Sequence, residues 1–250
     1  MKAIIVAAGL GRRLGTLTDD RPKCMVEVAG RPILERQVEA LREHGVCDVL
    51  VVRGYMGDRI TVPGLRFCEN PRFRENNILA SLLHAGAELE QEFVFSYSDI
   101  VFHPDVVGTL MRAPGPLALV VDRKWADAYQ GRTEHPVPEA ELTRVEGGLV
   151  KRVGKRAVEP AHAAGEFIGL ARFDAGVGRL VRAEFERLAR ERPAAPFGHA
   201  PRLEVAYLTD MINHLIDAHG LAVRPAYIDG QWREIDTTQD LERAHSVIRW

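Results

Sequence analysis

The residues with chemical potential crowd into one short stretch near the start of the chain. It runs Ala7-Ala8-Gly9-Leu10-Gly11-Arg12-Arg13-Leu14-Gly15 and closes, after several polar residues, on Pro22-Lys23. Glycines leave backbone N–H groups open to close approach, and Arg12, Arg13 and Lys23 add positive charge. Such a loop suits a phosphate. Two more residues share a second chemical type. Asp99 and Asp236 each end an apolar run, at the edge where open α/β sheets bind ligands, and two carboxylates there suit a magnesium ion. Each is equally a strand-end aspartate, and Asp236 stands where it could cap the helix that follows.

Three readings of the loop compete with a general phosphate site. A Walker A loop needs Gly-Lys followed by Ser or Thr, which the sequence lacks. A dinucleotide turn needs G-x-G-x-x-G running straight into a helix. Here position 14 is Leu, the third glycine is Gly15, and helical periodicity starts only after Pro32. The second strand ends near Arg53 and offers no acid for a ribose, although an NADP enzyme could use an arginine there. A tight turn without a ligand would leave three like charges in mutual repulsion.

The elements that must position these residues alternate. "KAIIVAA" and "DVLVVRG" read as strands buried on both faces, "LRFCEN" as a shorter one, and "MVEVAG" as a brief strand. "RPILERQVEALREHG" reads as a helix with Pro32 at its first turn, Gly45 past its end, and Ile33, Leu34, Val38 and Leu41 on one face. "NNILASLLHAGAEL" reads as a helix capped by Asn76 or Asn77. "EFVFSYSDIVF", "PLALVVDRK", "GEFIGLARF", "LAVRPAYI" and "QWREID" read as strands, residues 175–192 and 203–219 as helices, and "TTQDLERAHSVI" as a capped final helix. "LTRVEGGLVKRVGK" reads as a hairpin around Gly147-Gly148. This rhythm predicts an α/β fold, a Rossmann-like three-layer α/β/α sandwich on a mostly parallel mixed sheet. One domain over residues 1–250 is expected, with residues from about 123 to 165 as a small β-rich cover over the ligand edge.

With 250 residues, 46% hydrophobic and 27% charged, the chain suits a soluble globular fold, and its net charge of -2 argues against a nucleic-acid coat. Cys24, Cys47 and Cys68 match no zinc or redox spacing. "MKAIIVAAGL" resembles a signal peptide only in charge and apolarity, because "GRRLG" stands where a cleavage site should be. No run reaches the roughly 18 apolar residues of a membrane helix, so a cytoplasmic protein is expected. His103 and His135 lack metal-ligand spacing and are read as non-ligands.

Taken whole, the opening resembles the nucleotidyltransferases that activate sugar phosphates and phosphocholine, whose pattern runs roughly A-A-G-x-G-[ST]-R-L-x-P-L-T and later P-K. Ala7, Ala8, Gly9, Gly11, Arg13, Leu14, Leu17, Thr18, Pro22 and Lys23 match, while Arg12 replaces a small hydroxyl residue and Thr16 a proline. "NPRFRENNILASLLHA" resembles a segment of the phosphocholine and phosphonate cytidylyltransferase branch. "FSYSDIVF" stands at the metal turn, and "WREIDTTQDLERA" resembles the terminal element. The resemblance implies Mg2+-dependent transfer of a nucleoside monophosphate, CMP from CTP foremost, onto a small phosphate or phosphonate, with pyrophosphate released. Arg13, Lys23 and Lys155 would be catalytic, and Ser98 would join the loop around the nucleotide. Asp99 and Asp236 would hold the metal. Asn77, Ser81, Lys155 and Glu166 would meet the acceptor.

For the rest of the acceptor site two demands conflict. Trp125, Tyr129 and Trp232, with Tyr97, could cage a quaternary amine. Arg123, Lys124 and Arg132 suit an anionic acceptor instead, with Arg132 as anchor. Sugar-1-phosphate transfer stays open, as do a glycosyltransferase of similar fold, a non-catalytic nucleotide-binding module and an NADP-dependent oxidoreductase. Against the glycosyltransferase, "SYSDI" has one Asp where Asp-x-Asp is usual.

Overall fold

The computed structural model describes residues 1–192 and 194–248. Thirteen strands and seven α-helices alternate along it. They are β1 (Lys2–Ala7), β2 (Glu27–Val28), β3 (Arg31–Pro32), α1 (Ile33–Glu43), β4 (Asp48–Arg53), β5 (Arg66–Glu69), α2 (Ile78–Leu83), β6 (Phe93–Tyr97), β7 (Ile100–Phe102), α3 (Pro104–Arg112), β8 (Leu117–Asp122) and α4 (Trp125–Tyr129). Then follow β9 (Glu141–Glu146), β10 (Leu149–Lys155), β11 (Gly165–Phe173), α5 (Ala175–Glu191), α6 (Leu208–His219), β12 (Val223–Ile228), β13 (Trp232–Glu234) and α7 (Thr238–Val247).

β1 explains the layering. Its side chains alternate between two buried faces. Ile4 and Val6 point into a core with Leu79 and Leu82 of α2, Val177 and Val181 of α5, and Leu208 and Met211 of α6. Ala3, Ile5 and Ala7 point into the opposite core with Leu34, Val38 and Leu41 of α1 and Val106, Val107 and Leu110 of α3. The strand is apolar throughout because helices cover both faces, and a three-layer α/β/α sandwich results.

The main sheet has nine strands. β6, β1, β4 and β5 form a parallel block in that order. β11 runs antiparallel to β6, β8 and β9, and β12 lies parallel beside β8. β11 therefore divides one of its edges. Gly165 and Glu166 pair with β9, whereas Leu170 to Phe173 pair with β6. Gly169 marks the fork, with φ +84° and the Tyr97 ring so close that a Cβ would lie 2.2 Å from it. Only glycine fits that position.

Local expectations mostly hold. Pro32 directly precedes α1, and Gly45 follows it at φ +76°. The hairpin turns at Gly147-Gly148, both left-handed. α2 is shorter than its pattern, ending before Gly86 at φ +57°, after which a 3-10 turn takes over. Residues 203–219 divide into a 3-10 turn and α6. The segment expected as a cover does not form a separate β layer. Its hairpin β9–β10 extends the main sheet through β11, while α4 packs Trp125 and Tyr129 against Ala140, Leu142 and Val158. Among the described residues no helix is long and apolar enough to cross a membrane.

Candidate active site

A cleft of about 420 Å³ lies at the sheet fork, lined by the loop after β1, the turn after β6, and residues from α2, β9, β10, β11 and β13. The loop is held from below. Leu14 is fully buried against Val26, Val101 and Ile235. Thr18 Oγ1 donates to the carbonyls of Gly11 (3.3 Å) and Gly15 (3.1 Å). Gly11 adopts φ +64°, and a Cβ there would press on Lys23 at 3.0 Å and Thr18 at 3.1 Å. A Cβ on Gly9 would meet nothing within 4 Å, so open space adjoins the backbone there. Ala7, Ala8, Gly9, Gly11, Arg12, Arg13, Lys23 and Ser98, the residues expected around the nucleotide, all line the cleft.

The two acids meet because of a short ladder. β13 pairs antiparallel with β7, placing Glu234 opposite Ile100, and the Ile235 N–H donates to the Asp99 carbonyl at 2.8 Å. Asp99 and Asp236 thus share one point in space. Lys23 Nζ reaches both, at 2.8 Å from Asp99 Oδ2 and 2.6 Å from Asp236 Oδ1. Arg13 Nη2 reaches Asp236 Oδ2 at 2.5 Å. Burial would lower the Lys23 pKa, but the charges of Asp99, Asp236 and Glu234 outweigh it and raise the pKa above its ordinary value. Burial likewise opposes ionisation of Asp236, yet Lys23, His135 and Arg13 hold it well below the usual carboxylate range. Asp236 does not cap α7. Thr237 does so, with Asp240 closing the capping box.

His135, read as a non-ligand, sits buried with Nδ1 3.0 Å from Asp236 Oδ2 and Nε2 3.5 Å from Glu234 Oε2. With Glu234 and Asp236 it forms one of two groups among the described residues able to hold a metal ion. Asp99 Oδ1 is buried and has no hydrogen-bond partner, which fits a cation at the acid pair.

The acceptor residues divide. Asn77 and Ser81 line the cleft, Asn77 as the cap of α2 and Ser81 Oγ accepting from Asn70 Nδ2 at 2.9 Å. Lys155 lines it too, 3.0 Å from Glu139 Oε2 and 5.0 Å from the Tyr207 ring centre. Glu166 accepts the Tyr129 hydroxyl at 2.7 Å, and its Oε2 is buried without a partner. Burial first, then the Glu234 charge, pushes Glu166 up to about 8.

Trp125, Tyr129 and Arg132 are absent from the cleft wall. The two aromatics pack edge to face, with ring centres 5.7 Å apart, in the small core beneath. The Arg132 side chain is nearly covered and committed. Its Nε and Nη2 donate to Asp240 at 2.6 and 2.9 Å, and Nη2 also to Glu234 at 2.8 Å. The expected acceptor anchor is therefore a brace. Asp240 in turn accepts the N–H groups of Asp236 (3.1 Å) and Thr237 (2.9 Å), so Arg132 steadies the backbone that carries Asp236. Arg123 is likewise spent on Asp229 at 2.6 Å. Trp232 does line the cleft, pinned by Nε1 donating to Asp122 Oδ2 at 2.8 Å.

Sequence reading missed four polar wall residues. Glu141 is buried at the back, taking the Tyr97 hydroxyl at 3.0 Å and the Thr209 hydroxyl at 3.3 Å, and burial pushes it up to about 7. Glu139, Tyr207 and Glu234 are the other three. Glu234 alone carried a signal, standing two residues before Asp236 in the strand.

Residues 3–163 match the MobA-like NTP transferase domain. The chain is 33% identical over 253 residues to the CTP:phosphoglutamine cytidylyltransferase of Campylobacter jejuni, covering 97% of this chain and 98% of that protein. It is 35% identical over 106 residues to the choline-phosphate cytidylyltransferase of Streptococcus pneumoniae, spanning 41% of this chain and 46% of that one. The solved structure of the Streptococcus pneumoniae CTP:phosphocholine cytidylyltransferase superposes with a TM-score of 0.72 at 24% identity over 98% of both chains, a likeness of fold.

Proposed function

The chain belongs to the MobA-like NTP transferase family, and we propose that it transfers CMP from CTP to a small phosphate or phosphonate acceptor, releasing pyrophosphate. The convergence of Lys23 and Arg13 with Asp99 and Asp236 at the end of the glycine loop carries this reading. An acceptor oxygen attacks the α-phosphorus, its bond to the bridging oxygen breaks, and the electron pair leaves with pyrophosphate. The nucleophile is already an anion, so the protein's work is to align two polyanions and offset their charge. The backbone around Gly9 receives the triphosphate. Arg13 and Lys23 face its leaving end, and Lys155 faces the acceptor phosphate. Asp99 and Asp236 would hold Mg2+, which supplies charge neutralisation at phosphate oxygens.

With Arg132 withdrawn, the acceptor's anionic end falls to Lys155. Its other end faces Glu141 and Glu166, whose pKa values near 7 and 8 let them donate as well as accept hydrogen bonds. That pairing of cation and polar acids favours a short polar acceptor. The kinship with phosphoglutamine and choline-phosphate cytidylyltransferases supports the same class. Unpaired thiols at Cys24, Cys47 and Cys68 are consistent with the cytoplasmic setting we assign.

The test is pyrophosphate release with each of four nucleoside triphosphates against choline phosphate, phosphoglutamine, small phosphonates and sugar 1-phosphates. CTP with a small phosphate or phosphonate should give the highest kcat/KM. Preference for UTP and a sugar 1-phosphate would overturn the acceptor class. Tighter binding of NADPH than of CTP with Mg2+ would overturn the nucleotidyl-transfer reading itself.

A further inference from the structure

Away from the cleft, the crevice between α5 and the end of α6 gathers a second set of donor atoms. Glu184 of α5 is buried, with its Oε2 2.8 Å from His214 Nε2 and its Oε1 3.4 Å from His219 Nε2. One ligand atom from each of the three lies within 4.8 Å of the others. A tetrahedral ion with bonds of about 2.0–2.2 Å holds its ligand atoms roughly 3.3 Å apart, so the His219–Glu184 spacing already fits and the His214–Glu184 pair needs to open by only about half an ångström. Phe197 packs edge-on against His214 at 5.4 Å between ring centres and fixes that imidazole. None of these residues lines the cleft or belongs to the opening motif.

The donor set selects the ion. Two imidazole nitrogens and one carboxylate suit a borderline transition ion, whereas magnesium takes oxygen ligands. Arg187 is the competitor. Its Nε and Nη2 hold the same carboxylate at 3.1 and 2.8 Å and bring Glu184 down to about 2. Yet Arg187 Nη1 already bonds Glu191 at 2.6 Å, and its side chain is 40% exposed. It can release Glu184 and keep an acid partner.

We propose that Glu184, His214 and His219 form a site for a zinc-class divalent ion, with water as fourth ligand, that ties α5 to the C-terminal end of α6.

Zn2+ is titrated calorimetrically into the full chain in excess Mg2+, with Asp236→Asn as background to discount Zn2+ taken by the cleft. One Zn2+ should bind in that background and raise the melting temperature. His214→Ala should weaken binding at least tenfold. His219→Gln, at the helix end, should do the same while leaving the melting temperature of the metal-free protein unchanged, so lost binding cannot be ascribed to lost folding. Arg187→Ala should bind Zn2+ at least as tightly as the parent. Co2+ in place of Zn2+ should show the visible absorption of a tetrahedral site. Absence of Zn2+ binding in the Asp236→Asn background, affinity unchanged by both histidine substitutions, or weaker binding in Arg187→Ala would overturn the site.

Discussion

The two ends of the cleft are built on different plans. At the end we assign to the nucleotide, one unbroken loop from Ala7 to Lys23 supplies the backbone and the cations Arg13 and Lys23, and a three-residue ladder delivers the acids. At the end we assign to the acceptor, Asn77, Glu141, Lys155, Glu166 and Tyr207 arrive singly from different elements. Two acids of the wall lean on side chains that do not line the cleft, Glu166 on Tyr129 and Glu234 on Arg132. A site made of contiguous backbone tolerates little change in spacing. A site made of separate side chains depends on its braces, and the braces resemble ligand contacts in type.

That contrast can be broken at several points. The largest effect belongs to the acid pair. Asp236→Asn or Asp99→Asn should cut kcat on the order of 10³-fold in the pyrophosphate-release assay, with circular dichroism unchanged. Activity within tenfold of the parent would detach both acids from the chemistry. Next comes Arg132→Ala. Removing one partner of a buried ion pair costs about 3 kcal/mol, at the low end of its range because Asp240 keeps two backbone N–H partners. Chemical denaturation should show that loss, with the acceptor KM within about twofold. A strongly raised acceptor KM at full stability would return Arg132 to the acceptor site.

Lys155→Ala should cost about 2 kcal/mol in acceptor binding, about thirtyfold in acceptor kcat/KM, with the CTP KM nearly unchanged. An equal loss toward CTP would place Lys155 at the nucleotide end. The smallest effect is a slope. Glu166 has an ordinary pKa of 4.5 raised to about 8 in the fold, so the fold favours its protonated form. The stabilisation is complete below the ordinary value and drains away as pH rises through about 8. Stability should therefore fall from pH 5 to 8.5 by up to about 1.4 kcal/mol per unit, and Glu166→Gln should flatten that fall. Identical slopes in thermal melts would mean that Glu166 is ionised throughout.

The sequence was most readable where structure is local. β1, the glycine loop, the Gly147-Gly148 hairpin and the capped α7 each follow from neighbours in the chain. Asp99 and Asp236 were readable as acids beside strand ends, but their meeting was not, since the β7–β13 ladder that joins them pairs segments more than a hundred residues apart. Arg132 was not readable as a brace, since its partners Asp240 and Glu234 lie more than a hundred residues on, and spacing says nothing of such contacts. Trp125 and Tyr129 misled for a related reason. An aromatic pair four residues apart marks a helix face, but not which side of the wall that face supports. Glu141 was invisible because a glutamate opening a strand ordinarily faces water, and only the fold reveals the Tyr97 and Thr209 hydroxyls around it.

The fork at Gly169 has a consequence for how such an enzyme can diversify. The β9–β10 hairpin carries Glu141 and Lys155 and joins β11 by two residues, Gly165 and Glu166. β6 and β1, which frame the glycine loop, take none of their ladder hydrogen bonds from it. Substitutions along the hairpin can therefore alter the contacts we assign to the acceptor while the parallel ladder beneath the glycine loop stands unchanged, the hairpin being tied instead to α6, where Asn213 bonds both the N–H and the carbonyl of Val153.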